Sequence, residues 1–309
     1  MKLDTAPITE FTTSDGTRLR VVVDGPADAP VTVLFVHGWA LTRHAWERVA
    51  TGLPKAADVP VRTLRFDLRG HGESDPAPPG SAHIARCADD VAELITELVA
   101  DGPLVLAGHS MGGMTIMALA ERHPELFDAR VAAVALVGTS GGDLVAPDLG
   151  LPRPVAALVN RVERVVRRRL AVARGRRFSP QAGPLRPGLR WLLFGTDPDP
   201  ADVAATAEWV AGCHPANMAG FRESLAAHDR IRVLEALRAK PTVIAAGLDD
   251  RLCPLPHARR IADAVPEAEL LLYAGAGHML PLERAGEITS RIGRLVTTAA
   301  ERAQGVSVR

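Results

Sequence analysis

The chain has 309 residues, and Lys+Arg and Asp+Glu both number 36, so its formal net charge at neutral pH is zero. Balanced charge gives no general attraction to nucleic acid or to an anionic membrane surface. Nucleic-acid binding is therefore not expected. This length suits one large domain with a substantial core.

Residues 1–10 carry acidic side chains and no apolar run, which does not resemble a signal peptide. No apolar run approaches the roughly 20 residues that span a bilayer. The three cysteines, Cys87, Cys213 and Cys253, are an odd number without metal-ligand spacing, which suits a reducing compartment. We therefore expect a cytoplasmic protein without stable membrane insertion, either a monomer or a homodimer.

The N-terminal half alternates predicted strands with predicted helices. Apolar or β-branched runs bounded by turn residues predict strands at 8–13, 18–23, 31–36, 61–66, 104–107 and 131–137. The first two are separated by a turn signal at 14–17 and predict a hairpin. Apolar residues at helical spacing predict helices at 43–53, 83–100 and 114–122.

The alternation stops after residue 142 and resumes near residue 229. Residues 143–228 contain several helical stretches and no convincing strand. A helix at 230–239, strands at 242–246 and 269–273 and a final helix at 283–302 follow. This order predicts an α/β fold with a mostly parallel, doubly wound sheet. We assign residues 1–142 and 229–309 to the core and 143–228 to a helical cap over the ligand-binding edge of the sheet.

Residues 108–113, Gly-His-Ser-Met-Gly-Gly, join the strand at 104–107 to the helix at 114–122. This spacing is typical of a nucleophile elbow, in which a strained turn lifts the Ser110 hydroxyl clear of the backbone. The helix N-terminus below it offers free N–H groups to a developing oxyanion. The alternative is a glycine-rich turn that contains an incidental serine.

Two later strand ends carry the partners that a serine nucleophile needs. Residues 247–254 follow the strand at 242–246 and include Asp249 and Asp250, and His278 follows the strand at 269–273. Parallel strands share a polarity, so these loops meet Ser110 at one edge of the sheet. The order serine, acid, histidine is the order of hydrolases with this elbow. Asp143, after an earlier strand, is a further candidate for the acid.

These motifs, with His-Gly-Trp at 37–39 and the loop at 67–75, resemble the α/β-hydrolase fold superfamily over nearly the whole chain. The resemblance is closest to the capped serine esterase, lipase and cofactor-free perhydrolase branch. In that family the acid lies in a Gly-x-x-Asp-x-x-x-Pro pattern, which selects Asp250.

The resemblance implies a catalytic triad of Ser110 as nucleophile, His278 as base and Asp250 as orienting acid. The backbone N–H groups of Met111 and Trp39 would form the oxyanion hole, each contributing on the order of 10²–10³ in rate. Trp39 could instead wall the acyl pocket or belong to the core.

The implied function is a serine hydrolase that cleaves carboxylic esters of small to medium acyl substrates through an acyl-enzyme. The same triad could serve a thioesterase, a perhydrolase or an acyl-transfer or lactone-forming enzyme. A ligand receptor on a hydrolase scaffold is the non-enzymatic alternative. The sequence has no HExxH, GxGxxG or P-loop pattern, so neither a metal nor a cofactor is expected.

Four histidine and aspartate residues near these motifs, His37, His71, His109 and Asp67, are expected to organise loops. The cap supplies apolar side chains for a substrate pocket, and we select Trp191, Phe194, Trp209 and Met218. Its segment 153–190 is rich in arginine on a predicted amphipathic helix. That basic face is either solvated or binds an anion such as a phosphopantetheine thioester or an anionic lipid surface.

Overall fold

The computed structural model describes residues 8–99, 101–144, 149, 151–173 and 177–305. It contains one eight-stranded sheet with the order β1-β2-β4-β3-β5-β6-β7-β8. The strands are β1 (Ile8–Thr12), β2 (Arg18–Asp24), β3 (Val31–Val36), β4 (Val61–Phe66), β5 (Leu104–His109), β6 (Val131–Val137), β7 (Thr242–Gly247) and β8 (Glu269–Tyr273). The hairpin β1–β2 joins β4 in antiparallel pairing, and from β4 to β8 every neighbouring pair is parallel. The predicted α/β class and mostly parallel sheet are confirmed.

Helices connect the strands. They are α1 (Glu47–Ala56), α2 (Ile84–Leu98), α3 (Met111–Arg122), α4 (Pro124–Arg130), α5 (Arg153–Ala171), α6 (Arg186–Leu193), α7 (Pro200–Gly212), α8 (Pro215–Ala226), α9 (Leu255–Ala264), α10 (Leu280–Glu283) and α11 (Ala285–Ala303). Short 3-10 helices cover Arg43–Trp46, Gly183–Leu185 and Ile231–Leu237. Within the described residues, no helix is both long and apolar enough to cross a membrane.

The central strands are buried on both faces, which explains their continuous apolar sequences. Leu34 and Leu106 point into one core with α2, α3 and α9. Val33 and Val105 alternate with them and point into a second core with α1 and α11. Helices on both faces therefore leave the carboxyl edge of the parallel strands as the open end of the sheet.

The segment between β6 and β7 leaves the sheet and returns to it at neighbouring points. Gly142 and Asp229 form an isolated antiparallel bridge, and the Arg230 N–H donates to the Gly141 carbonyl at 2.8 Å. The helices α5 to α8 lie between these two points in the chain.

Several helical predictions differ from the structure. The predicted helix at 230–239 is a 3-10 helix over Ile231–Leu237. The predicted helix at 283–302 corresponds to α11, which begins at Ala285 after the short helix α10. The helices α4 and α9 were not predicted. Both begin with proline in their first turn, where the missing N–H costs nothing.

Candidate active site

Ser110 lies at the turn between β5 and α3, with φ 52° and ψ −119°. A positive φ is costly for a residue with a side chain, so the neighbouring structure must enforce it. The Ser110 N–H donates to the Val137 carbonyl at 2.9 Å, and the Ser110 carbonyl accepts from Thr139 Oγ1 at 2.7 Å. The end of β6 therefore holds the strained turn from both sides.

Two glycines of the turn are required by close approach of the backbone. A Cβ on Gly108 would lie 2.6 Å from the Gly113 nitrogen, and one on Gly112 would overlap the Val36 carbonyl oxygen. The first turn of α3 consequently packs directly against β5 and the end of β3. This explains why α3 begins at Met111, three residues before the predicted start.

Asp250 and His278 are brought together although 28 residues separate them. His278 Nδ1 lies 2.8 Å from Asp250 Oδ2, and both side chains are buried. Because an ionised carboxylate only accepts hydrogen bonds, we assign the proton to Nδ1, which leaves Nε2 with a free lone pair.

The environment of Asp250 favours its ionised form. Burial alone would raise the pKa of this carboxyl group. The charge and hydrogen bond of His278, with the N–H groups of Leu252 and Cys253 at 2.8 Å from Oδ1, together hold the pKa below its ordinary value. The pair can therefore stabilise a positive imidazole.

The other two candidate acids do not contact His278. The Asp143 carboxylate pairs with Arg260. The Asp249 N–H donates to the Ala276 carbonyl at 2.9 Å, which fixes the turn that presents Asp250. The geometry thus favours Asp250 as the partner of His278.

The loop that carries His278 is anchored to α6. The His278 N–H donates to the Leu193 carbonyl at 2.7 Å, and the His278 carbonyl accepts from His109 Nε2 at 2.9 Å. The Glu283 carboxylate accepts from the N–H groups of Gly277 at 3.0 Å and Gly195 at 2.8 Å. Burial raises the pKa of Glu283 despite these bonds. Glu283 is not among the residues predicted for the site, and its signal in the sequence is its position five residues after His278.

Ser110 and His278 line the same cavity, which has a volume of about 310 Å³. Its wall is mostly apolar, as expected of a small-molecule site. The remaining lining residues are Trp39, Ala40, Leu41, Met114, Leu144, Phe178, Leu189, Leu192, Leu193, Val210, Met218, Arg222, Leu225, Leu252, Cys253 and Met279. The helices α6, α7 and α8 contribute to this wall.

Of the four residues selected for a substrate pocket, Met218 lines this cavity, whereas Trp191, Phe194 and Trp209 are not among its lining residues. Phe194 is fully buried in a small core with Leu193 and Met279, against which Trp209 also packs. Trp191 is 41% exposed, and the guanidinium of Arg251 lies over its ring at 5.2 Å.

The backbone N–H groups of Trp39 and Met111, which are expected to form an oxyanion hole, lie at two neighbouring turns of the sheet edge. Trp39 follows β3 in a turn, and Met111 is the first residue of α3. Within the described part of the chain, neither backbone N–H has a hydrogen-bond acceptor. The Trp39 ring also lines the cavity, and its indole N–H is buried without a partner among the described residues.

The histidines expected to organise loops contact the backbone. His37 Nε2 accepts from the Leu68 N–H at 3.0 Å, and its Nδ1 donates to the Gly38 carbonyl at 2.8 Å. Burial lowers the pKa of His37 to about 4 and the pKa values of His71 and His109 to about 3. All three are therefore neutral at physiological pH.

Asp67 joins the loop after β4 to the 3-10 helix that follows β3. Its buried carboxylate accepts from the Arg43 N–H at 2.7 Å, from Arg43 Nη1 at 2.5 Å and from the Glu73 N–H at 2.9 Å. Both members of the Asp67–Arg43 pair are almost completely buried.

Helix α5 carries the first part of the arginine-rich segment, and most of its surface is exposed. Its inward face includes Ala156, while Val155, Leu158 and Val162 are exposed beside the arginines. The predicted amphipathic pattern is present, but the apolar stripe does not face the core. Arg174 and Arg176 lie outside the described residues.

Comparison with known proteins gives a consistent result. Residues 31–285 match the family model described as alpha/beta hydrolase fold. The dihydrolipoyllysine-residue acetyltransferase component of the acetoin cleaving system of Cupriavidus necator is 30% identical over 288 residues, which are 93% of this chain and 68% of that protein. The pimeloyl-(acyl-carrier protein) methyl ester esterase of Aromatoleum aromaticum is 29% identical over 249 residues, which are 80% of this chain and 90% of that protein.

A thermophilic esterase from Thermogutta terrifontis is similar in structure. It superposes with a TM-score of 0.73 at 25% identity, covering 96% of this chain and 100% of the esterase. The likeness therefore extends over the helices between β6 and β7 as well as over the sheet.

Proposed function

The chain is an enzyme of the α/β-hydrolase fold family, and we propose that it is a serine hydrolase of carboxylic esters. Its substrates would carry small to medium acyl groups, and the reaction would pass through an acyl-enzyme without a cofactor. The observation that carries this proposal is the buried Asp250–His278 hydrogen bond beside a cavity that His278 shares with Ser110.

The proposed reaction begins when Ser110 Oγ attacks the ester carbonyl carbon and His278 Nε2 accepts the hydroxyl proton. The Asp250 carboxylate stabilises the resulting imidazolium. The N–H groups of Trp39 and Met111 bind the oxyanion. Collapse of the tetrahedral intermediate breaks the ester C–O bond, and the alcohol leaves with the proton from His278.

Deacylation repeats these steps with water. His278 removes a proton from water as the water oxygen attacks the acyl carbon. The acid is then released, and the proton returns to Ser110. The preference for water over another acyl acceptor distinguishes an ester hydrolase from the perhydrolase and acyl-transfer alternatives.

We propose that residues 143–228 form a cap over the core made by residues 1–142 and 229–309. The supporting observations are the bridge between Gly142 and Asp229 and the contribution of α6, α7 and α8 to the cavity wall. The cavity that Ser110 and His278 share has a volume of about 310 Å³. This volume is consistent with an acyl chain of moderate length.

Hydrolysis of p-nitrophenyl butyrate by the wild type and by Ser110→Ala tests the proposal. We expect the variant to lose at least about 10³-fold in kcat, because loss of a catalytic serine removes the covalent pathway. Circular dichroism spectra of the two proteins should agree. Equal turnover by a correctly folded Ser110→Ala protein would disprove the assignment.

A further inference from the structure

Arg222 on α8 is exceptional among the residues that line the cavity. The other lining side chains are apolar or neutral, apart from the titratable His278, so Arg222 is the one permanent charge in the described part of the wall. Its side chain is 14% exposed. A guanidinium beside an apolar wall is costly unless an anion compensates for the water that it has lost.

The compensation inside the protein is incomplete. Arg222 Nε lies 3.3 Å from Glu163 Oε1 on α5, and the same carboxylate oxygen lies 3.9 Å from Arg167 Nε. One carboxylate thus serves two guanidinium groups, which leaves a net positive charge at the cavity wall. In the part of the chain that the structure describes, the Nη1 and Nη2 groups of Arg222 have no hydrogen-bond acceptor.

The free side of this guanidinium suits a carboxylate. Its N–H groups form a planar fork, and a carboxylate can accept two parallel hydrogen bonds from such a fork. Arg222, Ser110 and His278 line the same cavity, and the rest of its wall is mostly apolar, which suits a methylene chain. A fully apolar acyl chain would bury the guanidinium without replacing its lost hydration.

We propose that Arg222 binds a carboxylate at the distal end of the acyl group, so that half-esters of dicarboxylic acids are the preferred substrates. This inference rests on the proposed ester hydrolysis and specifies its substrate class. Arg222 acts in it as a specificity residue, with its guanidinium oriented by Glu163.

Two esters that differ only at the distal carbon test this inference. Mono-p-nitrophenyl adipate and p-nitrophenyl hexanoate have the same leaving group and the same acyl length, but only the first ends in a carboxylate. We expect wild-type kcat/KM to be higher for the adipate. In Arg222→Gln the adipate-to-hexanoate ratio should fall at least about tenfold, because a hydrogen bond between charged groups is lost.

Two further variants separate a local contact from general electrostatics or misfolding. Arg222→Lys keeps the charge without the planar fork and should retain part of the preference. Arg168→Gln removes an exposed arginine of α5 that does not line the cavity, and it should leave the ratio unchanged. A wild-type preference for the hexanoate, or the same ratio in Arg222→Gln as in the wild type, would overturn the inference.

Binding without turnover distinguishes this inference from the proposed function. Calorimetric titration of mono-p-nitrophenyl adipate into Ser110→Ala should show binding. In the double variant Ser110→Ala, Arg222→Gln the Kd should be at least about tenfold higher. Arg222-dependent binding without wild-type hydrolysis would refute only the proposed reaction. Hydrolysis of both esters by the wild type, together with an adipate affinity that Arg222→Gln does not change, would refute only the carboxylate site.

Discussion

Replacement of Asp250 by Asn tests the Asp250–His278 pair with little change in shape. The carboxylate is fully buried and 2.8 Å from His278 Nδ1. In the proposed mechanism it would stabilise the imidazolium that forms when His278 takes the proton of Ser110. Two unit charges about 4 Å apart interact by about 4 kcal/mol at an effective dielectric constant of about 20. Loss of this interaction in the transition state corresponds to about a 10³-fold decrease in kcat.

A second effect acts in the same direction. The amide oxygen of Asn can still accept from the N–H groups of Leu252 and Cys253. Its NH₂ group would then donate to His278 Nδ1 and place the imidazole proton on Nε2, where a base is needed. We therefore expect a folded protein with the wrong tautomer and a loss of at least about 10³-fold.

The assay is the kcat for p-nitrophenyl butyrate, with Asp249→Asn as the matched control. Asp249 is adjacent but does not contact His278, so its variant should remain within about twofold of the wild type. The reasoning is refuted if Asp250→Asn keeps more than about a tenth of the wild-type kcat, or if both variants lose activity equally.

Three other predictions follow from buried groups and from the cavity. Burial lowers the pKa of His71 to about 3, against about 6.5 in the unfolded chain. Between these pH values His71 is protonated in the unfolded chain and neutral in the folded protein. The free energy of unfolding therefore has its full value above about pH 6.5 and decreases as the pH falls. Between pH 7 and pH 5, the free energy of unfolding measured in urea should decrease by about 2 kcal/mol less for His71→Gln than for the wild type. Equal decreases in the two proteins would contradict this prediction. Asp67→Asn breaks a buried pair with Arg43 and should lower the free energy of unfolding by about 3 kcal/mol, whereas a change under about 1 kcal/mol would show that the pair is not stabilising. Met218→Trp should shift the optimum in a p-nitrophenyl ester series to shorter acyl chains, since each buried CH₂ contributes about 0.8 kcal/mol until the cavity is full. An unchanged optimum would place the acyl chain elsewhere.

Most of the sheet was predictable because burial on both faces leaves a direct pattern in the sequence. The strands β3, β4, β6 and β8 have the predicted bounds, and β5 and β7 extend slightly beyond them. The helices were harder to predict, because tertiary packing determines whether a short segment such as 231–237 forms an α-helix or a 3-10 helix.

The triad candidates were predictable for a topological reason. Parallel strands end at one edge, so Asp250 and His278 could be paired from their positions after β7 and β8. The pocket was not predictable in the same way. Phe194 and Leu189 are both apolar residues near α6, but only the packing of α6 against the core shows that Phe194 is buried and Leu189 lines the cavity.

The position of Arg222 also depended on packing. The sequence places it outside the arginine-rich segment at 153–190, so it carried no signal of its own. Its place at the cavity wall results from the packing of α5 against α8, which brings Glu163 to within 3.3 Å of its guanidinium.

Covalent labelling of the nucleophile tests the central claim most directly. The wild-type protein would be treated with a fluorophosphonate probe and examined by intact-protein and peptide mass spectrometry. We predict one phosphonyl adduct per chain, located on Ser110 and missing from Ser110→Ala. An unlabelled wild-type protein that still hydrolyses p-nitrophenyl butyrate, or an adduct that persists in Ser110→Ala, would contradict the account.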